Sequence, residues 1–381
     1  MISQRASNIA PFYAMEILEE AHLLEKEGKN IIHLEIGEPD FATPSKISDK
    51  AAEELKKGNT HYTHSLGTVE LREAIAEFYY NKYKVKVDPD RILITNGTSP
   101  CFFLIFSALL ESGDKVIMSN PSYPCYKNII QFLGGTPHYI NVFEESNFRL
   151  PIDELKRHLT PTIKALLINS PSNPTGTILD KKNLQEISTL GKLIISDEIY
   201  HGLTYDGDEH TILEFDSNAV VLNGFSKLYA MTGWRLGFMI VPQYLIRPIQ
   251  KIQQNFFISA NSFVQAAGVV ALKDVDEDIE KMKQTYNTRR LLMLKRLKKI
   301  GFEIKSDPVG AFYIFVNIKN YSNNSLEFAK NILHKANVGV TPGIDFGSNG
   351  EGFLRFSYAN SIDNINIAMD RLEEFFSKID N

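Results

Sequence analysis

The sequence predicts an α/β protein: a large domain built on a mostly parallel seven-stranded sheet covered by helices, with a smaller α/β domain beside it. Seven short strand-like runs follow one another between residues 92 and 241. Several are continuously apolar rather than alternating, the pattern of strands buried on both faces. Most are separated by helix-like segments, the connection that parallel strands require.

In chain order the runs are Ile92 to Thr95, Lys115 to Ser119, Thr136 to Ile140, Lys164 to Ile168, Leu193 to Ser196, Ala219 to Leu222 and Leu236 to Val241. Helix starts are readable at Ser99-Pro100, at Asp153-Glu154 and at Asp180 before Lys181, each with an N-cap residue type or an early proline. The pattern then changes. A long helical stretch covers about Val275 to Ile300, followed by strand runs at Ala311 to Ile318 and Gly352 to Ser357 with helices between and after. Basic residues of the long stretch, among them Lys281, Arg289, Arg290, Lys295 and Lys299, interleave with Leu291, Leu294 and Leu297 and read as the wet face of an amphipathic helix.

A chain of 381 residues has length for two domains. Its net charge of -5 argues against general affinity for nucleic acid or an anionic membrane. No apolar run reaches the roughly 18 residues of a membrane span. Cys101 and Cys125 stand in no CxxC spacing, and no export signal is read at the N-terminus, so a soluble protein of the reducing cytoplasm is expected. No metal site is expected either; His61 and His64 lack a carboxylate or cysteine partner nearby.

The chemistry concentrates in Asn223 to Gly237, reading N-G-F-S-K-L-Y-A-M-T-G-W-R-L-G, where Lys227 stands eight residues before Arg235. Apolar neighbours disfavour an ammonium and bring its pKa toward the range in which the free amine attacks a carbonyl. Asp197 closes an apolar run, at the strand end where open α/β sheets bind ligands, though an acid there also simply caps a strand's exit. In Thr95-Asn96-Gly97-Thr98-Ser99-Pro100 a strand ends, glycine permits a tight turn, and a helix starts with Ser99 as its expected N-cap. That arrangement offers free N–H groups to an anion, or is a plain connection. Asn173 lies in P-S-N-P-T-G, a string that forms a loop in any case. Arg355, in F-L-R-F-S-Y, puts a charge between apolar neighbours and needs a carboxylate, either a substrate's or a structural one.

Taken together these strings resemble the class I and II aminotransferases, pyridoxal-phosphate enzymes of fold type I like aspartate aminotransferase, from about Arg5 to Arg355. The resemblance implies that Lys227 carries pyridoxal 5'-phosphate and acts as catalytic base, that Asp197 in S-D-E-I-Y partners the pyridine nitrogen, and that Tyr200 and Asn173 reach the ring's 3-oxygen. It places Tyr123, in N-P-S-Y-P, against the ring, and Thr98, Ser99 and Arg235 at the phosphate. Tyr62, in H-Y-T-H-S-L-G, would reach the phosphate of the other subunit in a homodimer with shared active sites. Arg355, Asn173 and Gly37, in G-E-P-D-F, would receive the substrate carboxylate.

It further implies a large cofactor domain over residues 50–286, a small domain from 1–49 and 287–381, and cis peptides at Asn120-Pro121 and Asn173-Pro174. The activity implied is transfer of an amino group from an L-amino acid to a 2-oxo acid. Pro11, Phe12, Tyr13, Phe256 and Phe257 suggest an apolar wall and hence neutral, apolar or aromatic donors; Arg5 and Arg247 are the nearest cations for a distal carboxylate. An aspartate-specific aminotransferase, and a C–S β-lyase or cyclopropane-forming synthase on the same scaffold, are the alternatives. A non-catalytic effector module would need a helix-turn-helix in the 36 residues before Gly37, where none is found.

Overall fold

The computed structural model describes residues 2–378. Residues 1 and 379–381, part of the expected small domain, lie outside the described residues. The seven expected runs form one sheet, ordered Ile92–Thr95, Gly237–Ile240, Val220–Gly224, Leu193–Asp197, Ile163–Asn169, Lys115–Asn120, Thr136–Asn141. Gly237–Ile240 runs antiparallel to both neighbours, and the remaining pairs are parallel. Every residue of Val220–Gly224 is buried, which explains why no alternation marked it.

Parallel strands end on one edge, so Asn120, Asn169, Asp197 and Gly224 are delivered to the same rim of the sheet. Thr95 joins them, because it pairs with Gly237, which also pairs with Gly224. The helix that follows Thr95 spans Ser99–Leu109; its N-cap is Thr98, one residue earlier than expected, with Ser99 already inside the first turn.

A second sheet has three antiparallel strands, Thr341–Pro342, Phe353–Ser357 and Tyr313–Asn317. The N-terminal strand Ile32–His33 pairs in parallel with Val338–Gly339, which ties residues near the start of the chain to its C-terminal part. Helix Ser45–Lys56 instead packs on Ser262–Lys273. The long helix Asp276–Ile300 buries Met282, Tyr286, Met293, Leu294 and Leu297. It also buries two arginines expected on its wet face: Arg289 pairs with Asp40 at 2.7 Å, and Arg290 donates to the carbonyl of Pro308 at 2.9 Å. Their charge is met by partners from other segments, which helical spacing cannot reveal. The expected cis peptides at Asn120-Pro121 and Asn173-Pro174 are present, with a third at Ser170-Pro171.

Candidate active site

Above the rim of the large sheet lies a cavity of about 350 Å³, walled by Thr98, Ser99, Tyr123, Asn173, Asp197, Tyr200, Lys227 and Arg235 from the large sheet's connections and by Gly37 and Arg355 from the other end. Ten of the eleven residues that the sequence assigned to catalysis, the cofactor or the substrate carboxylate therefore meet in one place. Tyr62 does not line this cavity and is 81% exposed.

Asp197 is buried at the floor, where Tyr126 Oη donates to its Oδ2 and the Ile199 amide donates to its Oδ1 at 3.2 Å. Burial pushes its carboxyl up to about 6, and those two hydrogen bonds hold it down against that penalty. Lys227 enters from the loop after Val220–Gly224, and its Nζ donates to the Gly37 carbonyl at 2.5 Å. Burial pulls its pKa down to about 8; the charge of Glu38 opposes that fall, while Arg355 and Arg235 add to it. The rings of Phe312 and Tyr200 lie 5.8 and 6.0 Å from Nζ, and Tyr200 Oη meets Tyr313 Oη at 2.8 Å.

One end of the cavity is a cradle made by close backbone approach. Gly97 sits at φ +90°, and a Cβ there would fall 2.4 Å from Arg235 Nη2. At Gly237 a Cβ would fall 2.7 Å from the Thr98 nitrogen. Among the described residues the amides of Thr98 and Ser99 have no acceptor, so two donors at a helix start face the cavity's rim. Arg235 holds the left-handed backbone at φ +53°, as does Ala230 at +51°, a conformation non-glycine residues adopt at a cost. Its Nη1 donates to the Thr232 carbonyl at 3.0 Å, and no carboxylate pairs with it among the described residues.

At the other end Arg355 is 3% exposed. Its Nη1 donates to Asn173 Oδ1 at 3.0 Å, and its Nη2 to the Glu35 carbonyl at 2.6 Å and Thr341 Oγ1 at 3.0 Å. Nε has no partner, and the guanidinium lies over the Tyr313 ring at 4.3 Å. No carboxylate lies within 4.0 Å among the described residues, so the structural salt bridge that the sequence left open is not there. A buried guanidinium held only by neutral oxygens is a site for an anion. Gly37 is required beside it, since a Cβ there would fall 2.5 Å from Tyr313 Oη.

The apolar wall differs from the expectation. Phe12 lines the cavity with Met15, Leu18 and Ile36, its ring edge-on to Tyr123 at 6.2 Å. Pro11, Tyr13, Phe256 and Phe257 do not line it; Phe256 and Phe257 pack on Phe103 at 5.7 and 6.0 Å, with Phe256 65% exposed. Arg5 is exposed, and Arg247 donates to Gln250 within its own helix.

Sequence reasoning missed Tyr126, Asn169, Tyr313 and Glu38. Asn169 ends a parallel strand as Asp197 does, and that signal was available. Tyr126 follows Tyr123 at helical spacing, also readable. Tyr313 comes from a distant strand and gives no local sign.

The family model "Aminotransferase class I and II" matches residues 29–372. The chain is 45% identical to a (5-formylfuran-3-yl)methyl phosphate transaminase of Methanocaldococcus jannaschii, over 99% of this chain and 100% of that one. It is 41% identical to an aspartate aminotransferase of Pyrococcus abyssi, over 91% and 92%. It is 38% identical to aromatic-amino-acid aminotransferase 2 of Thermococcus litoralis, over 98% and 97%. A crystal structure from Methanococcus jannaschii, described as similar in its active site to kynurenine aminotransferases, superposes with a TM-score of 0.92 at 45% identity, covering 99% of this chain and 100% of that one.

Proposed function

The chain belongs to the class I and II aminotransferases and is a pyridoxal-phosphate-dependent aminotransferase, and on that premise we propose how its residues divide the work and which donors it takes. The residues present fit the cofactor. An amine of lowered basicity stands in the same cavity as a buried acid, and a cradle that any Cβ at Gly97 or Gly237 would fill holds unclaimed amides and an unpaired guanidinium. When bound, pyridoxal phosphate supplies an aldehyde for the amine and an electron-withdrawing ring that stabilises negative charge at the substrate's Cα.

In this reading Lys227 Nζ would hold the cofactor's aldehyde carbon, and as a free amine it would be the base placed to take the proton from the substrate's Cα. Asp197 keeps a proton on the ring nitrogen, Tyr200 and Asn173 hold the 3-oxygen, and Tyr123 orients the ring. Thr98, Ser99 and Arg235 hold the phosphate, joined by Tyr62 of a second subunit in a homodimer. Arg355, with Asn173 and Gly37, receives the α-carboxylate. The single observation that carries the reading is Arg355: a buried, unpaired guanidinium in the cavity that contains Lys227. Residues 50–286 form the cofactor domain and 1–49 with 287–381 the smaller one, and the enzyme works in the cytoplasm.

For the donor, the cations lining the cavity are Lys227, Arg235 and Arg355, each already occupied in this scheme. Among the described residues no further cation lines it to hold a distal carboxylate, and Phe12, Met15, Leu18 and Ile36 offer apolar surface instead. The donor is therefore a neutral amino acid with an apolar or aromatic side chain. Steady-state assays should give methionine, leucine or phenylalanine a kcat/KM at least comparable to aspartate. An aspartate preference above about a hundredfold, roughly 2.7 kcal/mol of discrimination, would contradict this donor class.

A further inference from the structure

Away from the cavity, helix Tyr13–Lys26 carries His22 and Glu25, three residues apart and so on one face. Facing them is His33, on strand Ile32–His33. The two imidazoles have centroids 5.7 Å apart, and His33 Nε2 lies 3.1 Å from Glu25 Oε1. One ligand atom from each of the three lies within 4.8 Å of the other two.

Behind this trio stands a buried acid. Glu35 is 1% exposed, and its Oε1 lies 2.6 Å from His33 Nδ1. Gly339 makes room for that carboxyl, since a Cβ there would fall 2.1 Å from Glu35 Oε2. A surface ion pair between His33 and Glu25 would need neither His22 nor Glu35. A buried carboxylate on the far ring nitrogen does something further: it fixes the imidazole's orientation and tautomer so that Nε2 points outward, the arrangement found behind metal-ligating histidines. Two imidazole nitrogens and one carboxylate oxygen, with the rest of the shell open to water, are a donor set suited to zinc. In a tetrahedral shell, zinc–ligand distances of about 2.0–2.2 Å put two ligands of one ion about 3.3–3.6 Å apart. Closing the trio on an ion from separations of up to 4.8 Å therefore asks for side-chain shifts of about 1.5 Å or less, and His22 and Glu25 lie exposed at the surface, where side chains move readily.

We propose that His22, Glu25 and His33 form a binding site for a divalent transition ion of the zinc class, with Glu35 as the carboxylate that orients His33. The site departs from the sequence expectation of no metal, and it does not depend on how the amino-transfer residues are assigned.

The test is zinc titration of the chelator-treated holoenzyme by calorimetry, with magnesium as the comparison ion. The expected result is zinc binding in the micromolar range and no magnesium binding. His22→Ala, an exposed change, should weaken zinc binding at least tenfold with an unchanged melting temperature, and Glu35→Gln should weaken it about 10- to 100-fold. His138 and His158, whose ring nitrogens lie 2.9 Å apart, are a second imidazole pair, so His158→Ala serves as the control and should leave the His22-dependent binding in place. No zinc bound at about 100 μM free ion, a hundredfold above a micromolar Kd, would overturn the proposal. So would affinity undiminished in His22→Ala.

Discussion

The hydroxyl of Tyr126 donates to Oδ2 of Asp197 at the floor of the cavity, and this bond is one of two that oppose the burial pushing Asp197 up to about 6. A hydrogen bond to a charged group contributes about 1.5–3 kcal/mol, equivalent to one or two pKa units. Tyr126→Phe should therefore raise Asp197 by about a unit or more. Cofactor affinity measured against pH should lose its acid side near 6 in the native enzyme and at higher pH in the variant, because the carboxylate is lost as pH falls through the folded value. In the cofactor-free chain the stability effect runs the other way. Between the ordinary carboxylate value of 3.8 and about 6 the folded chain keeps a proton that the unfolded chain has released, so stability declines as pH rises through that window. An acid limb that does not move in Tyr126→Phe would remove Tyr126 from this role.

Arg355→Lys keeps the charge but loses the planar fork. Truncating one partner of a buried charge pair costs about 2–5 kcal/mol, so kcat/KM for phenylalanine should fall roughly 30-fold or more while cofactor content stays near native. The deciding comparison is 2-phenylethylamine, which lacks the carboxylate. Its much lower rate should change little in the variant, narrowing the gap between the two compounds. Equal losses for both would indicate that Arg355 acts only structurally.

Lys227 and Glu38 give a second pH prediction. In the cofactor-free enzyme, the rate of Lys227 modification by a small aldehyde under borohydride should rise with pH to a midpoint near 8, as the free amine appears. Glu38 holds that value up, so Glu38→Gln should move the midpoint lower and increase the rate at pH 7. A midpoint near that of ordinary lysines would show that the cavity does not desolvate the amine.

Tyr62 does not line the cavity of its own chain and is 81% exposed, so its proposed role requires a second subunit. Hybrids of Lys227→Ala and Tyr62→Phe subunits contain one site with both lesions and one with neither. Where Tyr62→Phe alone is severely impaired, mixing should restore activity toward half of the native value per heterodimer. Verified heterodimers without recovery would contradict a shared site.

The large sheet was legible because buried parallel strands announce themselves as short apolar runs, and each run became a strand. Strand order was not legible. That Gly237–Ile240 inserts antiparallel between Val220–Gly224 and Ile92–Thr95 depends on its pairing with Ile92–Thr95, whose residues lie more than a hundred positions earlier. In the site, residues bound to a local string, such as Asp197 at a strand end and Lys227 eight positions before Arg235, were readable. Residues contributed by a remote element were not: Tyr313 reaches Tyr200 from a strand over a hundred residues later. Of the five residues expected in the apolar wall only Phe12 lines the cavity, and for the same reason, because composition marks Phe256 and Phe257 as apolar without saying that they pack on Phe103. Arg289 and Arg290 show the converse, charges buried because Asp40 and the Pro308 carbonyl come to meet them.

The assignment on which the rest depends is Lys227, and it can be read directly. Reducing the holoenzyme with borohydride, digesting it and mapping the pyridoxyl-bearing peptide by mass spectrometry should place the label on Lys227, within the segment Asn223 to Gly237. Label on any other lysine, with Lys227 recovered unmodified, would contradict the account.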